Sequence, residues 1–230
     1  MKNLFILTVA MVFLSAFIGK PQKKIKVIFF GDSITRLGAE KDNRSGTGYL
    51  RRLDSMAKAE KKSGQYELLG SGIDGNKVYD LYLRMEDDVL SKNPDVVVLF
   101  VGVNDVWHKT LLGTGTDADK FEKFYQAVLK KLKDSNIKAI LCTPAVVGEK
   151  TDYSNPLDGD LNRYSNIIRD IAKKSNLPLI DLRKKYHDYL EKNNPDNKDR
   201  GILTYDGVHM NNEGNQFLAD AMWNAIKELK

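Results

Sequence analysis

From Lys23 to the C-terminus, short apolar runs alternate with longer stretches whose apolar residues recur at helical spacing. Ile25–Phe30 predicts a strand that ends at Gly31. Gly48–Lys61 has helical composition and is stopped by Gly64. Tyr66–Leu69 predicts a second strand, running into Gly70-Ser71-Gly72-Ile73-Asp74-Gly75, which reads as a turn. Val78–Leu90 predicts a helix closed by Asn93-Pro94. Asp95–Val101 is apolar without a break from Val96 onward, the pattern of a strand covered on both faces in a parallel sheet. Asp117–Asp134 is amphipathic, with Phe121, Phe124, Val128 and Leu132 on one face. Ile137–Cys142 predicts the fourth strand, Leu161–Lys174 a helix, Leu177–Leu182 the fifth strand and Arg183–Lys192 a short helix. Asn211–Leu229 predicts the terminal helix, capped by Asn211 or Asn212. A strand followed by a helix, repeated through the chain, implies an α/β fold: a three-layer α/β/α sandwich on a parallel five-stranded sheet, with right-handed crossovers placing helices on both faces. No linker or internal repeat interrupts it, so residues 21–230 are expected to form one domain.

The first 20 residues follow a different pattern. Lys2 precedes an apolar run from Leu4 to Ile18, broken only by Thr8 and Ser15, and Gly19-Lys20-Pro21 ends it. The run is shorter than the ~20 residues of a comfortable membrane span and matches the apolar part of a signal peptide. An uncleaved N-terminal anchor is the alternative. Export to the periplasm or the medium is expected, with no stable membrane insertion once the signal is removed.

Composition narrows the function. The net charge is +5 over 230 residues, with basic and acidic side chains interspersed. No basic block interleaved with aromatics suggests a nucleic-acid partner. Cys142 is the single cysteine, which excludes an internal disulfide and a cysteine-based metal cluster.

Open α/β sheets bind ligands beyond the carboxyl ends of their strands, and chemistry-bearing residues cluster there. Gly31-Asp32-Ser33 follows the first strand, Gly72–Asn76 the second, and Gly102-Val103-Asn104-Asp105 the third. Asp206-Gly207-Val208-His209 lies just before the last helix. A serine nucleophile needs a base, a group that orients the base, and donors for the oxyanion. Ser33 opens a strand-to-helix turn; read alone, it serves equally as a helix cap or as part of a phosphate loop. Asp206 stands three residues before His209, a spacing that lets a turn bring its carboxylate to the imidazole and leave the other ring nitrogen free. Asn104 can donate a side-chain N–H and Gly75 a backbone N–H. Of three histidines, His187 beside Asp188 reads as a solvated helix face. His108, placed with Trp107 in a loop after the third strand, is a substrate-contact candidate. Trp107 reads equally as core or as a stacking platform.

These segments together resemble the SGNH or GDSL hydrolases. Gly31-Asp32-Ser33, Gly102-Val103-Asn104-Asp105 and Asp206-Gly207-Val208-His209 match three of the family's blocks. Gly72-Ile73-Asp74-Gly75-Asn76 looks like a looser fourth, with Gly72 as the other candidate for its glycine. The resemblance implies a flavodoxin-like sandwich and a Ser33–His209–Asp206 triad. It implies an oxyanion hole from the amides of Ser33 and Gly75 and the side chain of Asn104, with no metal and no organic cofactor. Asp32, Trp107 and His108 are the expected substrate contacts. The expected reaction is hydrolysis of short-chain acyl esters, such as O-acetyl groups on carbohydrates, with a small-molecule or glycan ester as partner. A lysophospholipase or thioesterase of the cell envelope and an inactive carbohydrate-binding domain are the alternatives.

Overall fold

In the computed structural model, which describes residues 23–229, the element order is β1 (Ile25–Gly31), α1 (Ser33–Gly38), β2 (Lys41–Asp42), β3 (Gly46–Thr47), α2 (Tyr49–Ala59), β4 (Tyr66–Gly72), α3 (Val78–Asp88), β5 (Val96–Phe100), α4 (Val103–Leu112), α5 (Ala118–Asp134), β6 (Lys138–Cys142), α6 (Asp158–Ser175), β7 (Leu179–Ile180), α7 (Leu182–Asn193) and α8 (Asn212–Ile226). The expected signal segment lies outside the described residues. β4-β1-β5-β6-β7 form a parallel five-stranded sheet, and β2 and β3 form a small antiparallel hairpin. Counted along the main sheet alone, the order is second-first-third-fourth-fifth, the doubly wound arrangement whose switch point lies between its first and third strands.

The pleat sorts β1 and β5 between two cores. Val27, Phe29, Val96, Val98 and Phe100 face the layer of α2, α7 and α8, where Leu53, Tyr186 and Trp223 are buried. Ile28, Phe30, Val97 and Leu99 face α3, α5 and α6, where Met85, Phe121 and Ile168 are buried. Burial on both faces is why the valine-rich run shows no polar alternation. Asn211 is the cap of α8, its side chain accepting the Gly214 N–H at 2.9 Å.

The architecture departs from the sequence expectation in three places. β4 continues through Gly70-Ser71-Gly72, pairing with Phe29-Phe30-Gly31. These residues read as a turn because of their glycines, yet Gly72 serves close approach: a Cβ there would sit 2.3 Å from the Arg36 nitrogen and 2.5 Å from the Asp32 oxygen. β7 is an edge strand cut to Leu179–Ile180, because Pro178 offers no N–H and Asp181 already caps α7 through the Lys184 amide. The segment holding Trp107 and His108 is helical rather than a loop. Gly102, at φ +128, makes the sharp turn, and Asp105 lies in the first turn, where a carboxylate suits the helix dipole.

Candidate active site

β1, β4 and β5 end level with one another, Gly31 pairing with both Gly72 and Phe100. The chain leaves β1 and enters α1 at once. A Cβ at Gly31 would lie 2.3 Å from the Phe100 carbonyl oxygen, so only glycine lets the strand end run this close to β5. Asp32 caps α1, accepting the Ile34 N–H at 3.0 Å. Ser33 is the first residue of α1, and its amide has no acceptor within the helix.

His209 arrives from the connection between α7 and α8. A bridge between Thr204 and Met210 and a 2.9 Å hydrogen bond from the Tyr205 N–H to the His209 carbonyl close this loop. One carboxylate oxygen of Asp206 accepts the N–H groups of Val208 at 3.0 Å and His209 at 2.7 Å. The other lies 2.7 Å from Nδ1 of His209. Nδ1 therefore carries its proton toward Asp206, and Nε2 is left as an acceptor. Nε2 lies 2.9 Å from Ser33 Oγ, whose hydroxyl donates to it. Burial pushes the Asp206 carboxyl up, but the bonds from the His209 ring and backbone and the Val208 amide outweigh it and hold the carboxyl below the ordinary range. The arrangement can pass a proton from Ser33 to His209 while Asp206 stays charged.

The segments after β4 and β5 meet beside this relay. Asn104 is buried on α4, and its Nδ2 donates to the Asn76 carbonyl at 3.1 Å, leaving one N–H of the amide free of a partner among the described residues. Gly75 sits in the turn before α3 at φ +73. Gly72 belongs to β4, beneath the Ser33 turn. Trp107 stands edge-on to His209, ring centroids 6.3 Å apart, and Tyr205 stacks on the same imidazole at 5.8 Å and 17°. His108 is buried, with Cε1 3.5 Å from where a Cβ on Gly75 would stand, and its Nδ1 has no partner among the described residues. Burial, helped by the charge of Lys77, lowers its pKa, which keeps the ring neutral.

Asp32 adjoins Ser33 in sequence, and its carboxylate is buried, 1% exposed, and caps α1. Burial pushes its pKa up to about 7 against the Ile34 amide and the charge of His209. Asp105, buried on α4 and accepting the Val78 amide, is likewise raised to about 7 by burial. His187, Asp188 and Glu191 gather on the solvent side of α7, where His187 faces Glu191 at 3.4 Å and Asp188 pairs with Lys184.

Two supporting residues escaped the sequence reading. Glu149, fully buried after β6, accepts the amides of Ile202, Leu203 and Thr204 at 2.8, 2.7 and 2.6 Å and the Thr204 hydroxyl at 2.9 Å. Next to it the Gly148 N–H donates to Gly207, inside the Asp206–His209 turn, at 2.8 Å. The available signal was a lone glutamate directly after Val146-Val147-Gly148, just past the fourth strand. Arg84, on α3, donates to Asn76 Oδ1 at 2.6 Å, the Gly31 carbonyl at 2.7 Å and Ser71 Oγ at 2.9 Å. It ties the turn holding Gly75 to the ends of β1 and β4.

A family model described as GDSL-like lipase/acylhydrolase matches residues 29–217. A crystal structure of the acetyl xylan esterase AlAXEase is 65% identical, covering 88% of this chain and all of its own, with a TM-score of 0.84. The acetylxylan esterase of Geobacillus stearothermophilus is 29% identical over 211 residues, 87% of this chain and 93% of that protein. Its crystal structure superposes with a TM-score of 0.75 at 27% identity, covering 88% of this chain and 95% of that one. An uncharacterized lipoprotein of Bacillus subtilis, YqeF, is 29% identical over 174 residues, 67% of this chain and 69% of that protein.

Proposed function

The chain belongs to the GDSL-like lipase/acylhydrolase family and is an ester hydrolase, and we propose that it removes O-acetyl groups from xylan-type polysaccharides by acyl transfer through Ser33. The observation that carries the mechanism is the hydrogen-bonded line from Ser33 Oγ through His209 to Asp206, at 2.9 and 2.7 Å. The substrate class is supported by the 65% identical acetyl xylan esterase.

In the proposed cycle Ser33 Oγ attacks the acetyl carbonyl carbon while Nε2 of His209 takes the hydroxyl proton. Asp206, kept ionised, stabilises the imidazolium. The amides of Ser33 and Gly75 and the free N–H of Asn104 receive the oxyanion. His209 returns the proton to the sugar oxygen as the carbon–oxygen bond breaks, leaving acetyl-Ser33. Water, deprotonated by the same nitrogen, then attacks this ester, and acetate leaves with Ser33 restored. Trp107 and the neutral His108 are assigned to the substrate side of the site. Trp107 presents a ring beside His209, and buried His108 has an unpartnered nitrogen next to the turn of Gly75.

Acetate release from acetylated xylan and from p-nitrophenyl esters of increasing acyl length tests the reading. Acetyl groups should be cleaved fastest, and purified Ser33→Ala should release none. A preference for long acyl chains would overturn the substrate class, and activity retained in Ser33→Ala would overturn the mechanism. Export is part of the same proposal, supported by the Leu4–Ile18 run and by the likeness to a protein named a lipoprotein. N-terminal sequencing of the protein recovered from the cell envelope and the medium tests it.

A further inference from the structure

The end of the sheet opposite the catalytic loops combines an apolar hollow with three lysines that lack carboxylate partners among the described residues. A cavity of about 980 Å³ opens there, floored by Val96, Leu132, Ile137, Ile171 and Leu177. Lys130, Lys133, Lys138 and Lys174 stand around it, all exposed. Lys130 pairs with Asp134, whereas Lys133, Lys138 and Lys174 have no acidic partner within salt-bridge distance among the described residues. The lysines at the start of β1 are paired instead. There Lys23 pairs with Asp95, and Lys26 pairs with Glu67 and donates to the carbonyl of exposed Lys92. Lysines near the C-terminal ends of α5 and α6 offset the helix dipoles. That role does not account for Lys138, which opens a strand, and it does not call for an apolar floor.

We propose that this face docks on an anionic lipid bilayer, with the lysine side chains reaching the headgroups and the apolar floor meeting the interface. A lysine carries its charge on an apolar stem, so a ring of them around an apolar patch suits a surface that is charged outside and oily beneath. Attraction of unpaired lysines to anionic lipid adds to that burial. The direction of the chain agrees. The described chain starts on this edge at Lys23, shortly after the apolar Leu4–Ile18 run in the sequence. Docked in this way, the carboxyl ends of the strands, with Ser33 and His209, face away from the bilayer toward a polysaccharide. The proposal is independent of the acetyl-ester reading, since none of these lysines touches the catalytic residues.

Co-sedimentation of the full chain with phosphatidylcholine vesicles and with mixed phosphatidylcholine–phosphatidylglycerol vesicles tests the docking. The wild-type chain should bind the mixed vesicles more tightly, and added salt should weaken the difference. The triple variant Lys133→Gln, Lys138→Gln, Lys174→Gln should lose about 100-fold in partitioning to the mixed vesicles. It should keep wild-type hydrolysis of p-nitrophenyl acetate, which reports an intact fold and site. The triple lysine-to-arginine variant should restore binding. Because all these chains share the N-terminal run, equal binding by the glutamine variant would overturn the proposal. So would equal wild-type affinity for the two vesicle types. Tighter binding to soluble polyphosphate than to the mixed vesicles would assign the lysines to a polyanion and overturn the lipid assignment.

Discussion

At the scale of single residues, identical side-chain chemistry takes opposite electrostatic values. Asp206 bonds His209, and Asp32 lies within electrostatic range of the same ring. Asp206 collects N–H donors and stays below the ordinary carboxylate range, while Asp32, buried with fewer donors, rises to about 7. For Asp32 the raised value means that the folded protein keeps a proton which the unfolded chain, with its ordinary value of 3.8, has already released. Its contribution to stability is therefore greatest below about pH 4 and declines as the pH rises from about 4 to about 7. Asp105 adds a decline of the same sign. Asp32→Asn keeps an acceptor for the Ile34 amide and removes one titration. Urea midpoints measured at about pH 4 and about pH 8 should differ less in this variant than in the wild type, and an unchanged difference would refute the assignment. Asp206 has the reverse sign, its contribution being lost only as the pH falls below the ordinary carboxylate range. In the proposed cycle Asn104 acts through its one free N–H. Asn104→Ala should lower kcat by about 10²–10³ with KM nearly unchanged, because the bond forms fully only with the oxyanion. Steady-state kinetics on p-nitrophenyl acetate reads this directly.

At the scale of elements, the groups proposed to be catalytic sit on short connections held by groups elsewhere in the chain. The loop carrying Asp206 and His209 has little secondary structure of its own, and its geometry depends on the buried carboxylate of Glu149. Glu149→Gln replaces one acceptor oxygen with an N–H donor that must face a backbone N–H. It should lower kcat by at least tenfold, leave KM near wild type, and lower the melting temperature. An unchanged kcat with a lowered melting temperature would show that the clamp serves stability alone. The elements visible in the sequence have length or period: β1, β5 and β6 among the strands, and α3, α5, α6, α7 and α8 among the helices. The elements that were missed are short or written in turn residues. α4 begins in Gly-Val-Asn-Asp, a string that reads locally as a loop, and becomes helical because Gly102 takes a positive φ and Asp105 is held by the Val78 amide. The end of β4 is spelled Gly-Ser-Gly because the Ser33 turn lies against it.

At the scale of the whole molecule, two cores share one sheet, and the site sits where the strand order reverses. Phe121, fully buried and in contact distance of Tyr125 and Tyr164, anchors the core that supports α4 from below. Phe121→Ala should cost about 3–5 kcal/mol, read as a lower urea midpoint with an unchanged slope. Because it lies beneath Gly102, where the chain turns toward Asn104, the loss of activity should exceed that of an equally buried change in the other core, such as Leu53→Ala. The sequence by itself determined the layer order and the identities of Ser33, Asn104, Asp206 and His209 as a candidate set. Strand and helix periods follow from local sterics and burial, and short motifs carry chemistry that their spacing alone can suggest. Tertiary structure decided the rest. It turned Asp32 inward, placed Trp107 and Tyr205 against the His209 ring, recruited Glu149 and Arg84, and gathered lysines from α5, β6 and α6 around one apolar hollow. Those outcomes depend on contacts between residues far apart in the chain, with 176 positions separating Ser33 from His209. Burial and partner geometry of that kind have no local signature in the sequence.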